Sequence, residues 1–137
     1  MAAVFRYSHR VIYSECTVGN HVYYARYLDL FEAARGEFFR HAGAPLPELQ
    51  AAGTIFPVIE CRLRYKAPAR YDDLLAVEVF VTAMEKVRLN FGCRIVHADG
   101  RLLVEGESRH VCTGLDDKIK RLPPELARRL EPWLVRG

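Results

Sequence analysis

The chain has 137 residues, of which 50% are hydrophobic, 11% aromatic and 27% charged. This length suits one domain, predicted over residues 1–137, and the apolar content excludes an intrinsically disordered chain. No apolar run approaches the roughly 18 residues that a membrane helix needs. Two arginines and a glutamate interrupt the start of the chain, which argues against a secretory signal.

The net charge of +3 by itself excludes few classes of function. Acidic and basic residues are interspersed and form no basic stripe, so no nucleic-acid partner is predicted. The four cysteines lie far apart without a C-x-x-C motif, which predicts reduced thiols in a cytoplasmic protein rather than a disulfide framework. The five histidines form no H-x-x-x-H pair, so no metal site is predicted.

The strongest local pattern predicts an amphipathic helix over residues 21–42, because its apolar side chains share an arc of roughly 140° on a helical wheel. Asn20 is the expected N-cap and Gly43 the expected stop. Arg35 interrupts the apolar arc. Glu32, three residues earlier, is its expected ion-pair partner, since an unpaired buried charge is costly.

Elsewhere apolar residues alternate with polar ones, which predicts half-buried antiparallel strands. The expected strands cover residues 5–14, 59–66, 77–83, 87–95 and 102–113. Asp99-Gly100 predicts a hairpin before the last strand, and Pro123 a short C-terminal helix. These elements predict an α+β fold in which one long helix packs on a five-stranded antiparallel sheet. The sheet edges and the outer sheet face favour dimerisation.

Residues 11–28, VIYSECTVGNHVYYARYL, and residues 31–35, FEAAR, resemble the hotdog-fold acyl-CoA thioesterases. The matching branch is the 4-hydroxybenzoyl-CoA thioesterase group, which includes the thioesterase of Tol–Pal operons; residues 65–69 and 72–77 match it as well. The resemblance implies a sheet wrapped around a long central helix, and hydrolysis of an acyl-CoA thioester to a carboxylic acid and coenzyme A. It also implies a homodimer or homotetramer with the active site at the dimer interface, coenzyme A as part of the substrate, and no cofactor.

The carboxylate that the resemblance leads one to expect is absent. The family's Asp-Thr-Asp motif aligns with Glu15, Cys16 and Thr17, so Thr17 replaces the catalytic aspartate. Three alternatives follow. In the first, Glu15 is the base while Thr17 orients water. In the second, His21 is the base. In the third, Asn20, Thr17 and the helix start polarise the thioester without a strong base. A fourth alternative is the Cys16 thiol, which no motif provides with a histidine.

The start of the predicted helix is expected to stabilise the oxyanion, because its first N–H groups lack partners and lie at the positive end of the helix dipole. By resemblance the donor is the N–H of Tyr24, with Tyr23 close by. Asn20 is a further candidate for contact with the substrate. Tyr23, Tyr24, Tyr27 and Phe56 are candidates for the walls of the acyl pocket. For Tyr27 and Phe56 a plain core role is favoured over the pocket role, because an aromatic at helical spacing is more often a core residue.

Side chains for the nucleotide phosphates are predicted on the polar face of strand 86–95. By resemblance Arg88 lies where the family makes basic phosphate contacts, and Asn90 follows it between Lys86 and Arg94. Arginine suits bidentate phosphate binding. An ordinary solvent-facing strand is the alternative interpretation of the same residues.

Two other functions use the same residues. A hotdog module that binds acyl-CoA or a carrier-bound acyl group without efficient hydrolysis is the main alternative, because Thr17 lacks the expected carboxylate. A hydratase or dehydratase of this fold would use a histidine before the helix and a carboxylate on it, which His21 and Glu32 superficially match.

Overall fold

A computed structural model describes residues 3–135. The elements in chain order are β1 (Phe5–Arg10), β2 (Cys16–Thr17), β3 (His21–Val22), α1 (Arg26–His41), α2 (Leu46–Ala51), β4 (Val58–Tyr65), β5 (Leu74–Glu85), β6 (Arg88–His97), β7 (Leu102–Val111) and α3 (Pro124–Leu130). Five strands form one antiparallel sheet in the order β1-β5-β6-β7-β4, while β2 and β3 form a separate hairpin. The predicted α+β architecture is confirmed.

The alternation of apolar and polar residues along the strands gives the sheet a buried inner face and a polar outer face. Val77 and Val81 of β5 and Leu89 and Phe91 of β6 are at most 1% exposed on the inner face. The long helix α1 lies on that face, and the ring of Phe38 meets the ring of Phe91 at 6.0 Å. Because apolar residues of both elements leave water together, this contact layer forms the core and holds the start of α1 in place.

The start of α1 differs from the prediction. The helix begins at Arg26 with Ala25 as its N-cap, and residues 21–22 form β3 instead. Asn20 is therefore not the cap; its φ is 59° and its Oδ1 accepts a hydrogen bond from the Tyr71 N–H at 3.2 Å. The prediction was wrong because residues 21–25 share the apolar spacing of the helix, although the turn before them sends the chain back as a hairpin.

The rest of α1 mostly follows its predicted pattern, and Gly43, with a φ of 83°, ends it as expected. Leu28, predicted on the buried arc, is 43% exposed. The predicted ion pair of Arg35 with Glu32 is wrong. Within residues 3–135, no carboxylate oxygen lies within 4.0 Å of the Arg35 guanidinium.

The shorter segments agree with the predictions in part. β1 ends at Arg10, and a 3-10 turn, Tyr13–Glu15, occupies the end of the predicted first strand. The hairpin at Asp99-Gly100 and the C-terminal helix are confirmed. The six-residue α2 was not predicted, because it is shorter than the window over which helical periodicity can be read. No helix in the described part of the chain is long and apolar enough to cross a bilayer.

Candidate active site

The β2–β3 hairpin carries the motif residues to the start of α1. Thr17 of β2 lies directly opposite His21 of β3 in the strand register. Gly19 and Asn20 close the hairpin with φ of 84° and 59°, in the left-handed region that glycine and asparagine tolerate best. Directly opposed residues of an antiparallel pair project to the same face. The Thr17 hydroxyl and the His21 imidazole therefore share one side of the hairpin.

The backbone between this hairpin and α1 leaves the N–H groups of Tyr24 and Ala25 without an acceptor among residues 3–135. The Tyr23 N–H donates to the Glu15 carbonyl at 2.8 Å, and the Arg26 N–H donates to the Tyr23 carbonyl at 2.8 Å. The Tyr24 N–H has no acceptor among residues 3–135. It stands just before the N-cap, at the positive end of the helix dipole, where an N–H can stabilise a developing negative charge.

A groove of about 310 Å³ opens beside this donor. Its walls are formed by the end of the hairpin, the start of α1 and the chain after β4: His21, Val22, Tyr24, Tyr27, Tyr65, Lys66, Ala67 and Pro68. The Tyr65 hydroxyl donates to the Tyr24 carbonyl at 3.5 Å, and its ring lies 5.7 Å from that of Tyr27. Sequence reasoning missed Tyr65 and Lys66, although the alternation of β4 puts Tyr65 on the same face as Leu63.

The Glu15 side chain is already engaged. Its carboxylate accepts from the Ile12 N–H at 2.8 Å and lies 2.8 and 3.1 Å from His9 Nε2. Glu15 ends the 3-10 turn rather than continuing an extended strand, and its carboxylate is turned toward His9 and the Ile12 N–H. The alternation of β1 placed His9 with Phe5 and Tyr7, but it gave no sign of a carboxylate partner.

Tyr27 is a core residue that also borders the groove. It is 3% exposed, and its hydroxyl accepts a hydrogen bond from the Ala69 N–H at 3.1 Å. Burial raises the pKa of the Tyr27 phenol, so it stays protonated at neutral pH. Tyr23 is 45% exposed and packs its ring on Tyr24, with 4.9 Å between the ring centroids. Of the four proposed pocket aromatics, the structure brings Tyr24 and Tyr27 to the groove.

Phe56 and Glu32 lie elsewhere. Phe56 stacks on Phe39, with 6.0 Å between the ring centroids, and both line a separate cavity near α2. Glu32 borders that second cavity and not the groove that contains His21. The structure therefore does not bring together the histidine and the carboxylate that a hydratase site of this fold would need.

The predicted phosphate contacts are also separate from the groove. Arg88 and Asn90 lie beside Arg109 on the outer face of the sheet. Tyr65 aligns with Val104 and through it with Ile95, so Arg88 stands about 24 Å farther along β6. Within one chain, Arg88 and Asn90 are at the opposite end of the sheet from the open Tyr24 N–H.

Two other basic residues of the predicted phosphate face have different roles. Arg94 donates through Nε to Glu78 at 2.9 Å, and its guanidinium carbon lies 5.1 Å from the Phe80 ring centroid. Lys86 lies in the hairpin turn between β5 and β6 with a φ of 51°, rather than in the strand. These two residues therefore do not extend the surface of Arg88 and Asn90.

Comparison with known proteins agrees with the fold and the motif. Residues 11–130 match the model of the thioesterase-like superfamily. The chain belongs to this superfamily. It is 36% identical to the acyl-CoA thioester hydrolase YbgC of Escherichia coli over 127 residues, covering 93% of this chain and 92% of that protein.

Solved structures show the same architecture for this thioesterase-like protein. A hypothetical protein of Thermus thermophilus, TT1821, superposes with a TM-score of 0.88 at 31% identity, covering 93% of this chain and 98% of the other. The Synechocystis protein Slr0204, a 1,4-dihydroxy-2-naphthoyl-CoA thioesterase, has a TM-score of 0.86 at 21% identity, covering 93% and 96%. The predicted hotdog fold is confirmed.

The groups around the groove of this thioesterase-like protein define its chemistry. Burial, with the carboxylates of Glu15 and Asp73 nearby, raises the pKa of the Cys16 thiol, which disfavours the thiolate that a cysteine nucleophile needs. No cluster of three or more His, Cys, Asp or Glu residues suited to a metal ion occurs in residues 3–135. The site therefore offers a main-chain donor, a hydroxyl and an imidazole, while its nearest motif carboxylate is held by His9.

Proposed function

We propose that this protein hydrolyses an acyl-CoA thioester to the free carboxylic acid and coenzyme A. The observation that carries the proposal is the open Tyr24 N–H at the start of α1, beside a groove that His21 also lines. The relation to the E. coli acyl-CoA thioester hydrolase supports this reaction class. Coenzyme A enters as part of the substrate, and the proposed reaction needs no cofactor.

In the proposed reaction, the thioester carbonyl oxygen accepts a hydrogen bond from the Tyr24 N–H. Attack of water on the carbonyl carbon places negative charge on that oxygen, and the positive end of α1 stabilises it. The carbon–sulfur bond then breaks, and the coenzyme A thiolate takes up a proton. Tyr23 and Asn20 are exposed, and we propose that their side chains contact the substrate.

The base that we propose for the water is His21. It lines the groove, and Thr17 stands opposite it, so the hydroxyl can orient a water molecule toward the imidazole. Glu15, the first alternative from the sequence, is held by His9 and the Ile12 N–H. Glu15 is therefore better suited to fixing the hairpin than to accepting a proton from water.

Steady-state hydrolysis of short, aromatic and long acyl-CoAs tests this assignment. His21→Gln is expected to lower kcat on the order of 100-fold, because one general base supplies about that factor or more. Thr17→Ala should cost less, and Val18→Ala, at a 94% exposed neighbour, should cost nothing. Unchanged rates in both His21→Gln and Thr17→Ala would show that the site is wrongly placed. A large loss in Glu15→Gln alone would move the base to Glu15.

Binding of acyl-CoA without efficient turnover is the second candidate. It is favoured by Thr17, a hydroxyl at the position where the resemblance leads one to expect a carboxylate. Calorimetric titration with non-hydrolysable acyl-CoA analogues separates the two functions. Tight binding by the wild-type protein together with no hydrolysis of any thioester in the panel would favour the binding module.

We further propose that the working unit is a homodimer or homotetramer in the cytoplasm. The four cysteines are free, which suits a reducing compartment. Arg88 and Asn90 lie far from the groove of their own chain, so their proposed contact with the nucleotide phosphates needs a neighbouring copy. This arrangement makes the nucleotide site dependent on assembly.

A further inference from the structure

The turn between β1 and β2 is closed by one carboxylate. Glu15 accepts a hydrogen bond from the Ile12 N–H at 2.8 Å, and its two oxygens lie 2.8 and 3.1 Å from His9 Nε2. Because a carboxylate oxygen accepts hydrogen bonds, Nε2 is the donor in this contact. The His9 and Glu15 side chains are 18% and 14% exposed. The 3-10 turn that ends at Glu15 is thereby attached to β1.

The main chain of Glu15 continues this link to the start of α1. Its carbonyl accepts a hydrogen bond from the Tyr23 N–H at 2.8 Å. The next N–H along the chain is the open Tyr24 N–H, on which the proposed stabilisation of the oxyanion depends. Because peptide units are planar, the orientation of Tyr23 sets the direction of the Tyr24 N–H. Glu15 therefore holds the turn through its side chain and the backbone before α1 through its carbonyl.

His9 connects this link to the buried sheet. All six residues of β1 pair with β5, and His9 aligns with Leu75, which is 1% exposed. Without the imidazole, the Glu15 carboxylate would keep only the Ile12 N–H as a partner. A largely buried carboxylate with too few partners is costly, so it would turn toward water and release the turn.

We propose that His9 is a positioning residue for thioester hydrolysis, which holds the Tyr24 N–H in place through the side chain and carbonyl of Glu15. The inference rests on the proposed function, in which this N–H stabilises the oxyanion. His9 itself does not line the groove. Its effect on the reaction comes from alignment, because a misplacement of about 1 Å in a site can lower a rate on the order of 100-fold.

Steady-state kinetics of two His9 variants test the proposal. His9→Val removes the donor with a residue that suits a strand. It should lower kcat about 10-fold and leave KM within about threefold of wild type, because the aligned N–H acts mainly on the transition state. His9→Gln places an amide N–H near the position of Nε2, so it should recover most of the rate. Recovery by glutamine and not by valine ties the rate to the donated hydrogen bond.

Variants of Glu15 separate positioning from a role as the base. Glu15→Gln keeps an oxygen that can accept from both His9 and the Ile12 N–H, so its loss of kcat should stay far below the roughly 100-fold cost of removing a general base. Glu15→Ala removes the acceptor and should lose as much as His9→Val. The double variant His9→Val/Glu15→Ala should lose no more than either single variant, because both changes break one link. A Glu15→Gln loss as large as that of Glu15→Ala would make Glu15 the base and overturn the positioning role.

Arg6 provides a matched control on the same strand. Its Nε lies 2.8 Å from Glu78 Oε2, and the Glu78 side chain is 10% exposed, so this pair resembles the His9–Glu15 pair in distance and in burial of the carboxylate. The Arg6–Glu78 pair joins β1 to β5 instead of to the turn. Arg6→Gln should therefore leave kcat within about twofold of wild type, since a pair with one exposed member contributes little. A loss in Arg6→Gln equal to that in His9→Val would mean that any weakening of β1 slows the reaction, and it would overturn the specific role of His9.

Amide hydrogen exchange gives a readout that needs no turnover. Exchange at the Tyr23 N–H should be about 10-fold faster in His9→Val, while the amides of β5 should exchange as in the wild type and so show that the variant is folded. Unchanged exchange at Tyr23, or a wild-type kcat in both His9→Val and Glu15→Ala, would overturn the proposal. A wild type that hydrolyses no thioester would refute the proposed function, and exchange at Tyr23 would then still decide for or against the link from His9 to α1.

Discussion

Thr17 is the single position where a small change should alter the chemistry most. It faces His21 across the β2–β3 ladder, and no side-chain hydrogen bond of its hydroxyl is present within residues 3–135. The sequence places a hydroxyl here, which is a poor base without an activating group. The geometry nevertheless leaves this side chain exposed, opposite the His21 that lines the groove.

Thr17→Asp is expected to raise kcat/KM for acyl-CoA hydrolysis on the order of 100-fold, because a carboxylate at this position adds a general base beside His21. Initial-rate measurements with the best substrate of the panel check the gain. Val18→Asp is the matched control, since it adds the same charge at a neighbouring, 94% exposed position. An equal gain in both variants would show that charge alone, and not position, is responsible.

At the scale of elements, Gly106 of β7 leaves no room for a side chain beside β4. A Cβ on Gly106 would overlap the Arg62 carbonyl oxygen and a methyl group of Leu63. The backbone oxygen cannot move without separating the two strands. The pairing of the edge strand β4 with β7 therefore depends on this glycine.

Gly106→Ala is expected to lower the free energy of unfolding by about 2–3 kcal/mol through this overlap. Gly36→Ala provides the opposite control, because nothing lies within 4 Å of its Cβ position in the interior of α1. Removing a helical glycine there should raise the free energy of unfolding by about 0.5–1 kcal/mol. Urea denaturation measures both changes, and a neutral Gly106→Ala would disprove the close approach.

The elements also show what could be predicted from the sequence. Strands β5, β6 and β7 follow from alternation, since one sheet face is buried and the other is not. The start of α1 could not be predicted correctly from the sequence, because Asn20 suits an N-cap and a left-handed turn equally well. The contact of Glu15 with His9 joins two segments through a turn, so no regular residue spacing in the sequence predicts it. Within the candidate site, the sequence predicted that His21 lies close to the start of α1. The distance from the groove to Arg88 became known only from the strand register of the structure.

For the whole molecule, His110 couples stability to pH. It is 4% exposed, with Nδ1 3.0 Å from the Phe56 carbonyl and Nε2 2.9 Å from Ser108 Oγ. Burial lowers the pKa of His110 below 6.5, and the nearby Arg35 guanidinium acts in the same direction. As pH falls through about 6.5, the unfolded chain binds a proton that the folded chain refuses. The free energy of unfolding therefore decreases until the folded pKa is reached.

His110→Gln should reduce this acid dependence while the wild type loses up to about 1.4 kcal/mol per pH unit in that window. Urea denaturation at neutral pH and at about pH 5.5 measures the two slopes. His41→Gln is the control for loss of an exposed imidazole, and it should keep the wild-type slope. Equal slopes in the wild type and His110→Gln would show that His110 is not the group responsible.

The open N–H of Tyr24 has a consequence for how such a protein evolves. Because the donor belongs to the main chain, no ordinary substitution at position 24 except proline removes it, and it persists wherever the fold persists. Only the proton acceptor belongs to a side chain, which a single substitution can change. A lineage with this fold can therefore lose and regain hydrolysis by single substitutions near residue 17 while its ability to hold a thioester is inherited unchanged.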